Sequence, residues 1–277
     1  MVFVRYKAVL LAVVLFLTSV VSAQETTPKP EATPKKEEKK SQNTDITKNA
    51  TAEQVAESAI LIYGFPGGRQ VLSQIRKTTL ERGKISIINA EGVSEQVNYQ
   101  RWVIRADTLD KEKIRFEQDF PNAKYSLIYN GEKVFGLFND SVFAPREDAV
   151  KTFQNQIWHG LEAVLRYKEN ESKIEIGGRE KMNGVDYYFL DVTDKQNRKT
   201  RFYVSARSFR VMMLDYESEG IKYRRKFHDY NYAQGTLVAY RSVLLANNKK
   251  VEELEVGTIT FGQKVDSAMF QDSTVVF

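Results

Sequence analysis

KYSLIYNGEKVFGLF, Lys124 to Phe138, is the stretch on which the reading of the fold turns. Two apolar runs, KYSLIY and KVFGLF, are joined by Asn130-Gly131. That dipeptide most readily supplies the two positive φ angles of a tight hairpin, so two antiparallel strands are expected to meet here.

Period two continues on both sides of this hairpin. Ile85 and Ile87, then Val97 to Arg105, then Ile114 and Phe116 among Lys113, Arg115 and Glu117 alternate as half-buried strands require. Downstream, KMNGVDYYFLDVTD and RKTRFYVS form a hairpin across Lys195-Gln196-Asn197. SFRVMMLDYES and GIKYRRKFHDYNY form another across Ser218-Glu219-Gly220, and LVAYRSVLLA turns into KVEELEVGTITF at Asn247-Asn248. In that last strand the apolar phase shifts from Leu254 and Val256 to Ile259 and Phe261 across Gly257, which predicts a bulge.

GIKYRRKFHDYNY interleaves bases with aromatics. As a strand it puts Ile221, Tyr223 and Phe227 on one face and Lys222, Arg224, Lys226 and His228 on the other. The bases therefore line the solvated side, where lysine discourages edge-to-edge aggregation. Arg225 alone intrudes on the apolar face.

Two segments break the strand series with helical spacing. Thr51-Ala52-Glu53-Gln54 has the spacing of a capping box, and Val55, Ala59 and Ile62 follow up to the breaker cluster Gly64-Phe65-Pro66-Gly67-Gly68. A second short helix is expected over Val71, Leu72 and Ile75. From Pro145 to about Tyr167, Val150, Phe153, Ile157, Leu161 and Val164 make an amphipathic helix opened by Glu147 and Asp148, with Gly160 as a kink. A chain with about ten or eleven antiparallel strands, a helix before them and a helix between them is mainly β (α+β): a strongly curved antiparallel sheet with helices packed on its concave face.

Composition excludes several classes of function. The 41 bases against 36 acids come nearly into balance once Arg5 and Lys7 of the N-terminal segment are set aside, so no basic face for nucleic acid is expected. With two histidines, His159 and His228, and no cysteine, no metal or other cofactor is expected. His228 and Asp229 are strand neighbours pointing to opposite faces, and no nucleophile elbow, phosphate loop or dinucleotide fingerprint occurs. A carboxylate pair assembled by the fold is the remaining route to an enzyme.

The N-terminus has the organisation of an export signal. Arg5 and Lys7 precede an apolar run from Ala8, and Val21-Ser22-Ala23 supplies a small-x-small ending, so residues 1–23 read as a signal peptide cleaved after Ala23. The alternative, an uncleaved anchor, would need ~20 apolar residues. Residues 24–50, rich in Pro, Lys and Glu, read as a disordered tether, and residues 51–277 as the folded domain. The mature protein is then expected in the periplasm. The terminal Val275-Val276-Phe277 would suit an outer-membrane barrel, but the interrupting helix argues against one.

Three motifs carry a family resemblance. Arg101-Trp102-Val103-Ile104-Arg105 followed by KIRFEQ, then Tyr129-Asn130-Gly131-Glu132-Lys133-Val134-Phe135, and finally ITFGQKVDSAMF with Asp266 and Phe270, resemble the LolA/LolB-like periplasmic lipoprotein carriers. The helix AESAILIYGFPGGRQVLSQIR is similar to that of lipoprotein-sorting variants. The resemblance spans about Thr51 to Phe270. It implies an open half-barrel with the helices as a lid over an apolar cavity for the acyl chains of lipoproteins or other lipids. On this reading Trp102, Ile114, Phe116, Leu127, Tyr129, Phe202, Val204, Ile221, Tyr223 and Phe227 line the cavity. Arg105 matches the family's latching arginine, which bonds backbone carbonyls of the lid helices. The sequence departs from the pattern in lacking the proline after that arginine and in inserting Ala106 to Lys113. The implied partners are acylated lipoproteins or lipids, a membrane release complex and an outer-membrane acceptor. The second reading is a non-transport envelope interaction or sensor module on the same fold.

Overall fold

The computed structural model describes residues 50–89 and 91–272. The signal segment, the tether up to residue 49 and Val275-Val276-Phe277 lie outside the described residues.

The chain opens with α1 (Ala52–Tyr63) and α2 (Arg69–Ile75). The capping box is present: Gln54 N donates to Thr51 Oγ1 at 3.2 Å, and Thr51 N donates to Gln54 Oε1 at 2.9 Å. The helix stops at Gly64, where a Cβ would meet the Gly68 carbonyl oxygen at 2.3 Å.

Thirteen strands follow, in a single antiparallel sheet. The first six are β1 (Thr78–Ile88), β2 (Ser94–Ile104), β3 (Lys113–Phe120), β4 (Ala123–Tyr129), β5 (Val134–Phe138) and β6 (Ser141–Phe143). Then come α3 (Glu147–Trp158) and α4 (Leu161–Leu165). The rest are β7 (Lys173–Met182), β8 (Val185–Thr193), β9 (Lys199–Ser205), β10 (Val211–Ser218), β11 (Ile221–Ala233), β12 (Thr236–Ala246) and β13 (Lys249–Phe261). The spatial order is β6-β5-β4-β3-β2-β1-β13-β12-β11-β10-β9-β8-β7. Two meanders are thus joined at their middle by the β1–β13 pair, and the outer edges β6 and β7 do not pair with each other. The sheet is an open, curved half-barrel, and α3 and α4 connect its two free edges.

Local expectations are refined in three places. The Asn130-Gly131 turn is a four-residue connection from Tyr129 to Val134 rather than a two-residue one. Only Gly131 of the pair has a positive φ, and Asn130 Oδ1 instead accepts from the amides of Glu132 and Lys133. The segment KMNGVDYYFLDVTD is not one strand. It folds back at Asn183-Gly184, both at positive φ, which adds β7 and raises the strand count above the expected ten or eleven. The helix over Pro145–Tyr167 is divided at His159-Gly160 into α3 and α4. The bulge at Gly257 is present: Arg82 pairs with Thr258 and Gly83 with Val256, so Gly257 has no partner.

Packing differs between the two halves of the concave face. Around β7 to β12 the core is filled by α1 and α4, with Val55, Ala59, Ile60, Val164 and Leu165 against Leu190, Phe202, Val204 and Leu214. Over β1 to β4 the cover is α3, and its buried side chains are Phe153 and Ile157. The convex side carries a third cluster, where Phe270 from a 3₁₀ turn (Ser267–Phe270) packs with Ile128, Phe135 and Trp102. Asp266 opens that turn by accepting a hydrogen bond from Ala268 N at 2.9 Å.

Candidate functional site

Strand alternation fixes which side chains face the helices. In β1 these are Thr79, Glu81 and Ile85, and the register carries Arg101 and Val103 of β2, Leu254 and Phe261 of β13, and Ile114 and Phe116 of β3 onto the same face. Between this face and the inner sides of α3 and α4 lies a cavity of about 220 Å³. Val103, Ile114, Phe153, Ile157, Leu254 and Phe261 supply apolar wall. Four arginines (Arg76, Arg101, Arg105, Arg225) and four glutamates (Glu81, Glu112, Glu162, Glu252) supply the rest.

These charges are paired in sets. Glu81, buried, accepts from Arg101 Nη2 at 2.7 Å and from the Tyr99 hydroxyl at 2.8 Å. Glu252, also buried, accepts from Arg225 Nη1 at 2.9 Å and Gln156 Nε2 of α3 at 3.2 Å. Glu162 of α4 accepts from Arg105 Nη2 at 2.7 Å and Arg76 Nη1 at 3.0 Å. Glu112 takes Arg105 Nη1 at 3.4 Å together with Arg166. Burial alone would raise the Glu162 carboxyl, but Arg105, Arg76 and Arg166 outweigh it and hold the group at about 2. For Glu112 burial wins and its carboxyl is raised.

The segment from Ala106 to Lys113 closes one end of the site. Arg166, just past α4, donates to the carbonyls of Ala106 and Asp107, Asn170 Oδ1 accepts from Leu109 N at 3.0 Å, and the Tyr129 hydroxyl donates to Asp110 O at 2.6 Å. Leu109 is buried against the α1–α4 core. The segment is therefore a strap between the sheet and the helix pair.

The expected cavity residues divide into five groups. Ile114 and Phe227 line the cavity. Phe116, Leu127 and Tyr129 lie in the apolar strip under α3. Phe202 and Val204 are fully enclosed beneath α1 and α4, with Tyr223 packed at the margin of that core, in the filled half. Ile221 is half-buried at the start of β11, opposite Ser218, and belongs to none of the three apolar clusters. Trp102 is on the convex face, where Arg115 stacks over its ring and Phe270 packs nearby. It follows Arg101 in the strand, so once Arg101 faces inward Trp102 must face outward. Arg105 reaches α4, but through the Glu162 carboxylate rather than a backbone carbonyl.

Apart from Arg105, the charged lining lies outside the expected site, whose cavity residues are aliphatic and aromatic. Its signal was nonetheless present, as a charge in the apolar phase of a strand. Arg225 stands between Tyr223 and Phe227, and Arg101 and Arg105 flank Val103 in β2 and just beyond it. Among the described residues no group of three or more His, Asp or Glu side chains is placed to hold a metal, and no helix is long and apolar enough to cross a membrane.

No family model and no curated protein matches the sequence. Solved structures are similar in architecture. A DUF1329 family protein from Desulfovibrio piger superposes with a TM-score of 0.57 at 13% identity, over 81% of this chain and 98% of that one. A LolA superfamily protein from Nitrosomonas europaea gives 0.55 at 12% identity, over 80% and 98%. A putative outer membrane lipoprotein-sorting protein domain from Vibrio parahaemolyticus gives 0.51 at 14% identity, over 79% and 97%. At these identities the likeness is one of fold, and it agrees with the open thirteen-stranded half-barrel and its helical cover: the chain has the LolA-like fold.

Proposed function

We propose that this chain is a periplasmic carrier that holds the acyl chains of a lipoprotein or lipid between α3 and the β1–β4 strip, for delivery toward the outer membrane. One observation carries the reading. A continuous apolar strip, from Ile85 and Val97 through Tyr99 and Phe116 to Leu127 and Tyr129, is covered by a helix whose buried anchors are Phe153 and Ile157. Exposing those two side chains costs about 3–6 kcal/mol, and about four to eight methylenes buried in their place, at ~0.8 kcal/mol each, offset it. Lifting α1 and α4 would instead empty the main core. Loading by a membrane release complex and unloading to an outer-membrane acceptor belong to the same proposal.

The second reading, an interaction or sensor module, draws on the filled half beneath α1 and α4 and on the modest size of the cavity. An enzyme is disfavoured by the state of its nearest acid pair. Glu112 and Glu162 share Arg105, and each is also held by Arg166 or Arg76, which commits both carboxylates to ion pairs.

Native mass spectrometry of the protein purified from its own envelope tests the carrier reading. A co-purified acylated species of discrete mass, lost in Phe116→Asp, is expected. A bare protein mass, with no uptake of added acylated peptide, would transfer the weight to the interaction module.

A further inference from the structure

The ion pairs around the cavity do not cancel. Its four glutamates, Glu81, Glu112, Glu162 and Glu252, are shared among five arginines: Arg76, Arg101, Arg105 and Arg225 in the wall, and Arg166 behind Glu112. Among the described residues no further acid joins these pairs. One positive charge is left over in a place where charges are ordinarily paired.

The excess has a location. Glu81 gives one oxygen to Tyr99 and the other to Arg101, and Glu252 gives one to Gln156 and the other to Arg225. The two arginines are less fully engaged. Arg101 Nη1, and Arg225 Nε and Nη2, bond to nothing in the protein, and unlike the Arg101 Nε–H they keep accessible surface. The Arg101 side chain is 34% exposed and that of Arg225 14%, and both line the cavity. The charge of Glu252 acts on Arg101 as well as on its own partner Arg225, which places both guanidiniums around one space.

Resting on the carrier reading above, we infer that Arg101 and Arg225 form an anion site, which takes a head group with a single negative charge, a carboxylate or a phosphodiester, while its chain lies beneath α3. An anion there accepts charge-assisted hydrogen bonds from both guanidiniums and brings the network to neutrality. A neutral ester accepts more weakly and leaves the charge in place. The volume of about 220 Å³ holds such a head with its first methylenes, since roughly 150 Å³ takes a benzene ring. Ile114, Phe153 and Ile157 belong both to the cavity wall and to the apolar strip, so the chain passes from one to the other.

The test is calorimetric titration of the whole protein with matched probes: dodecanoate and its methyl ester, lauroyl-lysophosphatidylglycerol and monolauroylglycerol, and hexanoate. Hydrogen bonds between charged groups contribute about tenfold or more each. Dodecanoate is therefore expected to bind about tenfold or more tightly than its methyl ester. Two paired variants remove an arginine together with its own carboxylate, so that neither leaves a buried acid unpaired: Arg101→Met with Glu81→Gln, and Arg225→Met with Glu252→Gln. In either, the preference should fall about tenfold with ester binding unchanged, and the second serves where the first fails to fold. A preference for dodecanoate alone assigns fatty acids, for the lysophospholipid alone phosphodiester lipids, and for both anionic lipids as a class. Equal binding of carboxylate and ester, or a preference that both paired variants leave intact, would overturn the inference while the carrier reading stood. Hexanoate binding as tightly as dodecanoate would keep the anion site and remove the chain beneath α3, and with it the carrier reading. Binding of no probe would remove both.

Discussion

His159 sits where α3 gives way to α4, and its surroundings are built for the neutral ring. Its Nδ1 lies 2.6 Å from the Thr200 hydroxyl, and the ring stacks on Tyr216 with centroids 4.2 Å apart. Burial, with a further contribution from the positive charge of Arg198 against Asp194, brings its pKa down from 6.5 to about 4. The unfolded chain therefore takes up a proton that the folded chain refuses, and the stabilising contribution, complete above pH 6.5, is lost as pH falls toward 4. Its size is on the order of 3 kcal/mol. Glu162, held at about 2 against an ordinary value of 4.5, has the same sign in a lower window: its contribution is present above pH 4.5 and is lost toward pH 2. Urea midpoints followed from pH 7 to pH 4.5 should fall in the native protein and fall distinctly less in His159→Gln. Parallel curves for the two proteins would contradict the assignment.

At the scale of elements, the helices over the sheet divide into a fixed pair and a loose one. In α1, Val55, Ala56, Ala59, Ile60 and Tyr63 are fully buried, and in α4 Ala163, Val164 and Leu165 are buried. Helix α3 contributes Phe153 and Ile157, and it is tied to the sheet by exposed or part-buried contacts, Lys151 to Glu219 and Gln156 to Glu252. Exposed pairs of this kind contribute about 0–1 kcal/mol. Local opening of α3 is then expected well below the global unfolding free energy. Hydrogen exchange should show amides from Val150 to Trp158 exchanging at least a hundredfold faster than those from Val55 to Tyr63, and addition of an acyl ligand should slow the α3 amides selectively. Matched protection of the two helices would count against a lid at this position.

For the whole molecule the decisive contact is the β1–β13 pair, which turns two meanders into one sheet. It passes a register shift at Arg82/Gly83, and a Cβ on Gly83 would come within 2.0 Å of the Glu255 carbonyl oxygen and 3.0 Å of the Tyr99 ring. Gly83→Ala should therefore destabilise the protein by about 3 kcal/mol through forced backbone shifts. Across the same bulge, Gly257→Ala should cost under about 1 kcal/mol, since the nearest atom to its Cβ would be 3.5 Å away. Chemical denaturation of the two variants side by side measures the contrast, and equal losses would place the closing constraint elsewhere.

Much of this architecture was legible in the residues. Period-two alternation, the Asn247-Asn248 turn with both residues at positive φ, the Gly257 bulge and the Thr51–Gln54 capping box are local properties, set by φ/ψ preference and side-chain spacing, and the structure repeats them. The Asn183-Gly184 turn is equally local and was hidden only because apolar residues continue past it. Which face of β2 looks inward was not legible, because Trp102 and Ile104 on one side and Val103 between two arginines on the other are both apolar enough to bury. Only the convex cluster around Phe270 and the concave pairing of Arg101 with Glu81 settle it. The charged cavity likewise belongs to the tertiary structure. Arg76, Glu81, Glu162, Arg225 and Glu252 come from the C-cap of α2, β1, α4, β11 and β13, and no sequence spacing links them. Their partnership exists because the sheet curves and the helices cross it. The sequence determined the strands, the turns and the amphipathic helices, since these depend on neighbours along the chain. Which charges meet in the enclosed space was decided by the fold, since Coulomb attraction and burial act on distances that only closure creates.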